Sequence, residues 1–332
     1  MDLAYWLPLF FAGAMGLALL IYVLLDGYDL GIGMLLPFAS DEEKDVMVAA
    51  IGPFWDANET WIVLGVGILL IAFPQAHSIV LTSLYLPVTL MLMGLILRGV
   101  AFDFRVKAGD ARKAMWNRLF ALGSLVASVC QGWMVGAYVT GLTGDTTSTL
   151  FAAMIALTLP ALYIMLGAAW LLIKTEGELF RKAIRWGRLA VFPMGAGLLL
   201  VSVATPLVSP AIAEKWFSLP NAIGLLPIPL STAVAYAGLI WIFHSKQILF
   251  NGYGWLAFVA LSVICVMASI GLGYSLFPEI IIGQLTLWEA ASATESLLFT
   301  FWGAIIALPA IIGYTIFIYR VFRGKATALS YE

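Results

Sequence analysis

Asp26, Asp29, Asp56, Glu59, Arg98 and Asp103 lie within or at the ends of the first three apolar stretches of a chain that otherwise keeps charge out of such stretches. On insertion scales each charge near the centre of a bilayer costs about 2.5–3.5 kcal/mol. Six charges so placed require a polar interior, ion pairing, or a route for protons or ions. Asp26 and Asp29 are three residues apart, as are Asp56 and Glu59, so each pair shares a helix face. Two carboxylates close together in a dry site do not readily both ionise, and one of them can hold a proton. Arg98 is the one basic residue inside a span, at the depth of the four acids, and is their natural counter-ion. A structural salt bridge and a charge-tuning role are compatible readings of it. Asp103 is expected at the membrane surface with Arg105.

The first pair sits in LDGYDLGIG (25–33), where the glycines permit close backbone approach or an irregular turn. A phosphate cradle is excluded, because the segment has neither the required lysine nor a strand-to-helix setting. The second pair sits in GPFWDANETW (52–61). There Asp56 or Asn58 as a simple helix cap, with Trp55 and Trp61 as interfacial anchors, is the structural alternative. A second acid one turn deeper is more than a cap needs. Arg98 and Asp103 belong to LILRGVAFDFR (95–105).

Stable positions for these groups must come from membrane helices. Hydrophobic residues make up 62% of the chain and charged residues 11%, with a mean hydropathy of +1.00. Soluble domains are about half apolar and a quarter charged, so the class is a polytopic membrane protein. Nine runs suit helices, near 6–25, 61–73, 79–100, 119–139, 150–173, 189–207, 223–243, 256–276 and 297–317. They are too long, and lack the alternation, for barrel strands. The fold expected is all-α, one transmembrane domain over 1–332. A four-helix part (1–139) carries the ionisable cluster and five helices follow (148–332). The first run, preceded by Asp2 and no basic stretch, is expected to be a retained helix.

Fifteen basic residues fall on one side if nine helices alternate, including Lys44, Arg105, Lys107, Arg112, Lys113, Arg118, Arg181, Lys182 and Arg185; Lys215 alone falls on the other. The positive-inside rule then places the N-terminus outside and the C-terminus in the cytoplasm. The formal net charge of −2 gives no sign of nucleic-acid binding. Cys130 and Cys265 lie singly in apolar runs and read as packing residues. Pro160, Pro193, Pro206, Pro227, Pro229 and Pro309 lie within spans and read as kinks. Gly13, Gly16, Gly65, Gly67, Gly195 and Gly197 suit close helix packing.

The segments LDGYDLGIG, GPFWDANETW and LILRGVAFDFR, with the late LTLWEAAS (285–292), resemble subunit II of the cytochrome bd quinol oxidases over nearly the whole chain. The length and compact late loop are most similar to the cyanide-insensitive branch. The resemblance implies a two-subunit oxidase of the bacterial plasma (inner) membrane that oxidises quinol and reduces dioxygen to water. Haems b and d would belong to subunit I, and this chain would ligate none. His77 and His244, at opposite ends of their spans, agree with that, since several haems need more imidazole than two isolated histidines offer. By the same resemblance Asp56 lies on a proton path from the cytoplasm, Asp26 and Asp29 lie near its entrance, and Arg98 is the motif arginine. Glu59 is grouped with these acids, although family members often differ at that position. Trp55, Asn58 and Asp103 support the motifs, and Trp288 with Glu289 is structural or subunit-contacting. A small accessory subunit, and a quinone or lipid bound to this chain, stay open.

Two other readings stand beside this one. A proton-coupled secondary transporter would use the same acids, but such sites lie near the midplane between inverted repeats. Here the acids sit towards the inner face, and Trp55-Asp56-Ala57 resembles Trp288-Glu289-Ala290 over only three residues. A purely architectural partner of a haem subunit is the other.

Overall fold

The computed structural model describes residues 2–326. Among the described residues nine helices are long and apolar enough to cross a membrane, and each of the nine expected runs overlaps one of them, although the third, 79–100, begins in the preceding short helix and crosses a break at Leu84. The elements are α1 (Leu3–Leu35), a 3-10 turn (Leu36–Phe38), α2 (Asp41–Ile51), α3 (Trp55–Ala72), α4 (Pro74–Ser83), α5 (Tyr85–Lys107), α6 (Asp110–Val139), α7 (Thr146–Lys174) and α8 (Gly177–Val208). They continue with α9 (Pro210–Phe217), α10 (Asn221–Leu225), α11 (Pro227–His244), α12 (Lys246–Phe250), α13 (Trp255–Leu276), the strands β1 (Glu279–Ile281) and β2 (Leu285–Thr286), α14 (Leu287–Ala290) and α15 (Thr294–Val321). β1 and β2 form an antiparallel hairpin pairing Glu279 with Thr286 and Ile281 with Leu285. Residue 1 and residues 327–332, including the chain ends whose sides the charge bias assigns, lie outside the described residues.

The chief departure from expectation is α1, which runs ten residues past the expected end of the first span and carries LDGYDLGIG as unbroken helix. An irregular turn there is therefore corrected. Glycine in an isolated helix costs about 1 kcal/mol against alanine, and tertiary packing overrides that preference here. A Cβ at Gly31 would collide with the Tyr163 carbonyl oxygen, and one at Gly33 with Ser124 Oγ. Other close backbone approaches include Gly94 against Gly123, and Gly132 and Gly136 against Ala156 and Ala152. Of the glycines read as packing positions, Gly13, Gly16 and Gly67 would meet nothing within 4 Å of an added methyl, whereas Gly65, Gly195 and Gly197 do meet side chains. Pro227 and Pro229 also differ from expectation, because they open α11 after a break from α10 instead of kinking a continuous span. A proline at the first helical position loses no intrahelical bond.

α1 is the central helix and packs against α3, α6, α7, α13 and α15, while α5 lies on α6, α6 on α7, α7 on α8 and α11 on α13. The ends of the spans that carry the basic residues gather at one end of the bundle, which we call the basic end. At the other end Leu7, Phe11, Ala72, Phe73, Ile280, Ile281 and Leu297 form an apolar cluster, and Trp288 stacks on Tyr5 with ring centroids 5.3 Å apart. Lys215, also at that end, donates to the carbonyl oxygens of Ser275 and Phe277.

At the basic end α2 is a bracket. Ser40 and Glu43 form a reciprocal capping box at its start, which satisfies two otherwise orphaned backbone donors. Lys182 Nζ on α8 reaches Glu43 Oε2 at 2.6 Å. Burial pushes the Glu43 carboxyl up, but the Lys182 ammonium and the Ser40 donors outweigh it and hold the group below its ordinary value of 4.5. A carboxyl lowered in the folded state contributes stability that is fully present above its ordinary value and is lost as pH falls through the lowered one. Acidification below about 4.5 should therefore loosen α2 from α8 at a cost of about 0.2–1 kcal/mol. The measurement is protease nicking of the 36–41 connection as a function of pH. Lys182→Ala should raise nicking at neutral pH and flatten its acid dependence.

Candidate functional site

The side chains of Asp26, Asp29, Asn58 and Arg98 are fully buried where α1, α3 and α5 meet near the basic end. Arg98 Nη1 donates to Asp26 Oδ1 at 2.6 Å, and its Nη2 lies 3.5 Å from Glu59 Oε2. The expected counter-ion is thus in place, with one guanidinium between an acid of α1 and an acid of α3. Such pairing is what permits charge in this setting, since a lone buried ion costs several kcal/mol after relaxation. Asp26 and Asp29 share a face as the spacing requires but take different partners. Asp29 Oδ2 accepts from Asn58 Nδ2 at 2.7 Å. Asp26 Oδ2, Asp29 Oδ1 and Arg98 Nε make no hydrogen bond within the described chain.

Asn58 is the hub of a second cluster. Its Nδ2 also donates to the Tyr28 hydroxyl at 2.7 Å, and its Oδ1 accepts from the Tyr319 hydroxyl at 2.9 Å. The two tyrosine oxygens are 2.6 Å apart. Further along α1, Gln131 Nε2 donates to the Tyr22 hydroxyl at 2.7 Å, and the Tyr163 hydroxyl donates to Gln131 Oε1 at 2.6 Å. Polar side chains from α1, α3, α5, α6, α7 and α15 therefore converge in an otherwise apolar bundle. The bonds around Asn58 and Gln131 fix how these helices pack, because each lost partner strands a buried polar group, while Asp26, Asp29 and Arg98 keep unbonded polar atoms.

α3 turns its two acids to the outside. Asp56 is exposed and the Glu59 side chain is 27% exposed, among the exposed apolar residues Val63, Val66 and Leu70 of the same helix. The capping alternative is corrected. The N-cap of α3 is Phe54, no side chain caps the helix, and Asn58 is spent on Asp29, Tyr28 and Tyr319. Trp61 is not an interfacial anchor either, since it is buried against Ala18 and Tyr22. Trp55 packs on Phe102 with ring centroids 5.0 Å apart.

Asp103 is exposed on α5, as expected, but Arg105 is turned inward and buried. Its Nη2 donates to Asp45 Oδ1 at 2.7 Å and its Nε to Asn117 Oδ1 at 2.6 Å, so it ties α5 to α2 and α6. Burial of Arg105 is possible because its fork finds two acceptors, a pairing that neither residue's local sequence announces. Glu289 closes a capping box with Thr286, whose hydroxyl and backbone N–H hold the Glu289 carboxyl below its ordinary range. That is a structural role, one of the two that the resemblance leaves to Trp288 and Glu289.

Sequence reasoning missed Tyr22, Tyr28, Gln131, Tyr163 and Tyr319. Tyr28 lies inside the LDGYDLGIG motif, and Gln131 is signalled by an amide in an apolar run. Tyr319 sits nearly three hundred residues from its partners with no local cue. The residues present do not fit a haem. His77 is half-buried on α4, while the exposed His244, at the basic end, turns Nδ1 to the Ile240 carbonyl oxygen of its own helix at 2.8 Å. Among the described residues no three His, Cys, Asp or Glu side chains form a metal-binding group.

Comparison with known proteins gives the family and the fold. Residues 7–322 match the family described as cytochrome bd terminal oxidase subunit II. The chain is 26% identical over 330 residues to the cytochrome bd ubiquinol oxidase subunit 2 of Bacillus subtilis (strain 168), covering 92% of this chain and 93% of that one. It is 25% identical over 360 residues to the cytochrome bd-I ubiquinol oxidase subunit 2 of Escherichia coli (strain K12), covering 94% and 93%. Its fold is similar to that in the structure of bd oxidase from Geobacillus thermodenitrificans, with a TM-score of 0.76 at 16% identity over 95% of this chain and 98% of that one. With the match spanning nearly every residue from α1 to the end of α15, the chain belongs to the cytochrome bd terminal oxidase subunit II family.

Proposed function

We propose that this subunit conducts protons from the cytoplasm to the oxygen-reducing centre of a two-subunit quinol oxidase in the bacterial inner membrane. The observation that carries the reading is the placement of Asp56 and Glu59 on the outer face of α3, next to the buried Arg98–Asp26 pair. A carboxylate facing lipid at that depth is strongly disfavoured. The face is therefore one that subunit I covers, and the acids line a passage between the subunits. Haems b and d, in subunit I, supply the oxygen chemistry, a division supported by the separation of His77 and His244 at opposite ends of the bundle. The positive-inside rule puts the basic end in the cytoplasm. Quinol then releases protons on the outside, and the four protons that join four electrons and dioxygen to form two waters come from the inside. Charge separation follows without a pump.

Within the chain, Asp56 exchanges protons with the passage and Glu59 links it to the buried acids. Arg98 holds Asp26 in place and tunes the charge of the group. A transporter reading is less well supported, because the acids sit at one end of the bundle and not at its middle. An architectural reading predicts no dependence on Asp56 at all. The test is Asp56→Asn in the whole complex reconstituted into vesicles, where turnover and proton uptake should fall about a hundredfold, the lower end for loss of a proton-transfer group, with the haem spectrum retained. Full turnover with full charge translocation would sink the relay and leave the architectural role.

A further inference from the structure

Each hydroxyl of the Tyr28–Tyr319 pair has one proton to give. Tyr319 gives its proton to Asn58 Oδ1, so Tyr28 must donate to Tyr319, while Asn58 Nδ2 donates to Tyr28. The three side chains therefore form a closed ring, each donating to the next, and the second amide hydrogen of Asn58 points to Asp29. The ring has one other complete state. Turning the Asn58 amide by 180° places its oxygen towards Asp29 and Tyr28 and its NH2 towards Tyr319. Tyr28 then donates to Asn58, Tyr319 donates to Tyr28, and Asn58 donates to Tyr319. Every ring bond is kept with its sense reversed, and only the long 3.4 Å bond from Asn58 Nδ2 to the Leu25 carbonyl oxygen is given up. The two states differ in what they offer Asp29: a donor suits the carboxylate, and an acceptor suits the protonated acid.

The ring is closed by a helix that otherwise holds weakly. Leu297 and Ile318 are the buried residues of α15. What fixes its end is the strap that follows, residues 322–326. Lys174 Nζ, at the end of α7, donates to the carbonyl oxygens of Phe322 and Gly324. The Ala326 N–H donates to the Lys174 carbonyl oxygen at 2.8 Å, and Lys325 Nζ to that of Thr175 at 3.1 Å. The Lys174 ammonium also lies 4.8 Å from the ring centroid of Phe54 and 5.3 Å from that of Trp170, a favourable cation–π placement. Phe54 in turn packs on Tyr319, and Trp170 stacks on Tyr28 at 4.2 Å. The strap thus locates the Tyr319 hydroxyl.

We infer that Asn58, Tyr28 and Tyr319 form a reversible hydrogen-bond ring whose sense follows the protonation of Asp29, with Tyr319, held by the strap, as a positioning residue for that acid. The charged and titratable groups around the two buried acids are Tyr22 and Tyr28 on α1 itself, Glu59 on α3, Arg98 on α5, Tyr163 on α7 with Cys265 of α13 beside it, and Tyr319 on α15. Arg98 is engaged by Asp26 and Glu59, which leaves the Asn58 amide as the hydrogen-bond partner of Asp29.

The inference rests on Asp29 belonging to the proton-uptake route and is tested by infrared difference spectroscopy of the whole complex across pH. An Asp29 carboxyl band, identified by its loss in Asp29→Asn, should change together with tyrosine C–O–H bands. In Tyr319→Phe the tyrosine component should vanish and the Asp29 band should shift, whereas Tyr163→Phe should leave the Asp29 band in place. Lys174→Gln, which keeps every ring member and slackens the strap, should broaden the same band. An Asp29 band that titrates with the tyrosine bands unchanged, or that is unmoved in Tyr319→Phe, would overturn the ring. If the bands move together while Asp56→Asn keeps full turnover, the uptake reading fails and the ring stands.

Discussion

Replacing Arg98 with methionine is expected to destabilise the assembled complex by about 3–5 kcal/mol, the usual cost of removing one partner from a buried ion pair. The loss arises because Asp26 is left fully buried with no cation, on a helix that α3, α6 and α7 hold in place. Lysine should not rescue it. Two different nitrogens of Arg98 face Asp26 and Glu59, and one ammonium cannot reproduce that planar fork. The paired change Asp26→Leu with Arg98→Met should recover much of the stability, since apolar replacement of a whole buried pair is often neutral or favourable. It should not recover turnover if Asp26 passes protons. Thermal denaturation of the purified complex with oxygen uptake reads both effects. An Arg98→Met complex that melts at the parent's temperature would show that the pair is not buried in the assembly.

The contrast between Arg98 and Arg105 shows which parts of the site were legible in the sequence. Arg98 stands alone in a long apolar run, so hydrophobic context alone places it at the depth of the acids and names its partners. Arg105 follows Asp103 by two residues at the end of the same run, where a surface position is the ordinary outcome. Its burial depends on Asp45 and Asn117, which α2 and α6 bring to it, and no local pattern encodes a contact between three elements. The spans were legible for the same reason Arg98 was, because a bilayer imposes one length on every apolar helix. Where α1 ends was not. Its last ten residues lie among the chain's own helices, and helix there depends on glycines meeting α6 and α7. Tyr319 is the extreme case, an aromatic residue in a late apolar helix that looks like any interfacial tyrosine until the fold sets it beside Asn58.

The glycines themselves support the last expected result. Gly31→Ala should destabilise the complex by about 3 kcal/mol or more, the upper end for overpacking, or prevent its assembly. The methyl would run into the Tyr163 carbonyl oxygen, and Gly167 meets Ile32 N from the other side at 2.7 Å for its own notional Cβ. Both neighbours are backbone, so no side chain can swing away, and relief requires α1 and α7 to part. Parting them carries Trp170 from Tyr28, and because Gln131 of α6 holds both Tyr22 of α1 and Tyr163 of α7 it strains the second polar cluster as well. Turnover should therefore fall with stability in any complex that does assemble. Gly13→Ala is the matched control on the same helix. It has nothing within 4 Å of the added methyl and exchanges glycine for a better helix former, so its effect should stay within about 0.5 kcal/mol unless subunit I covers that face. Thermal denaturation of the two complexes separates the cases. Equal melting temperatures would mean that α1 and α7 are further apart in the assembled oxidase than in the chain alone.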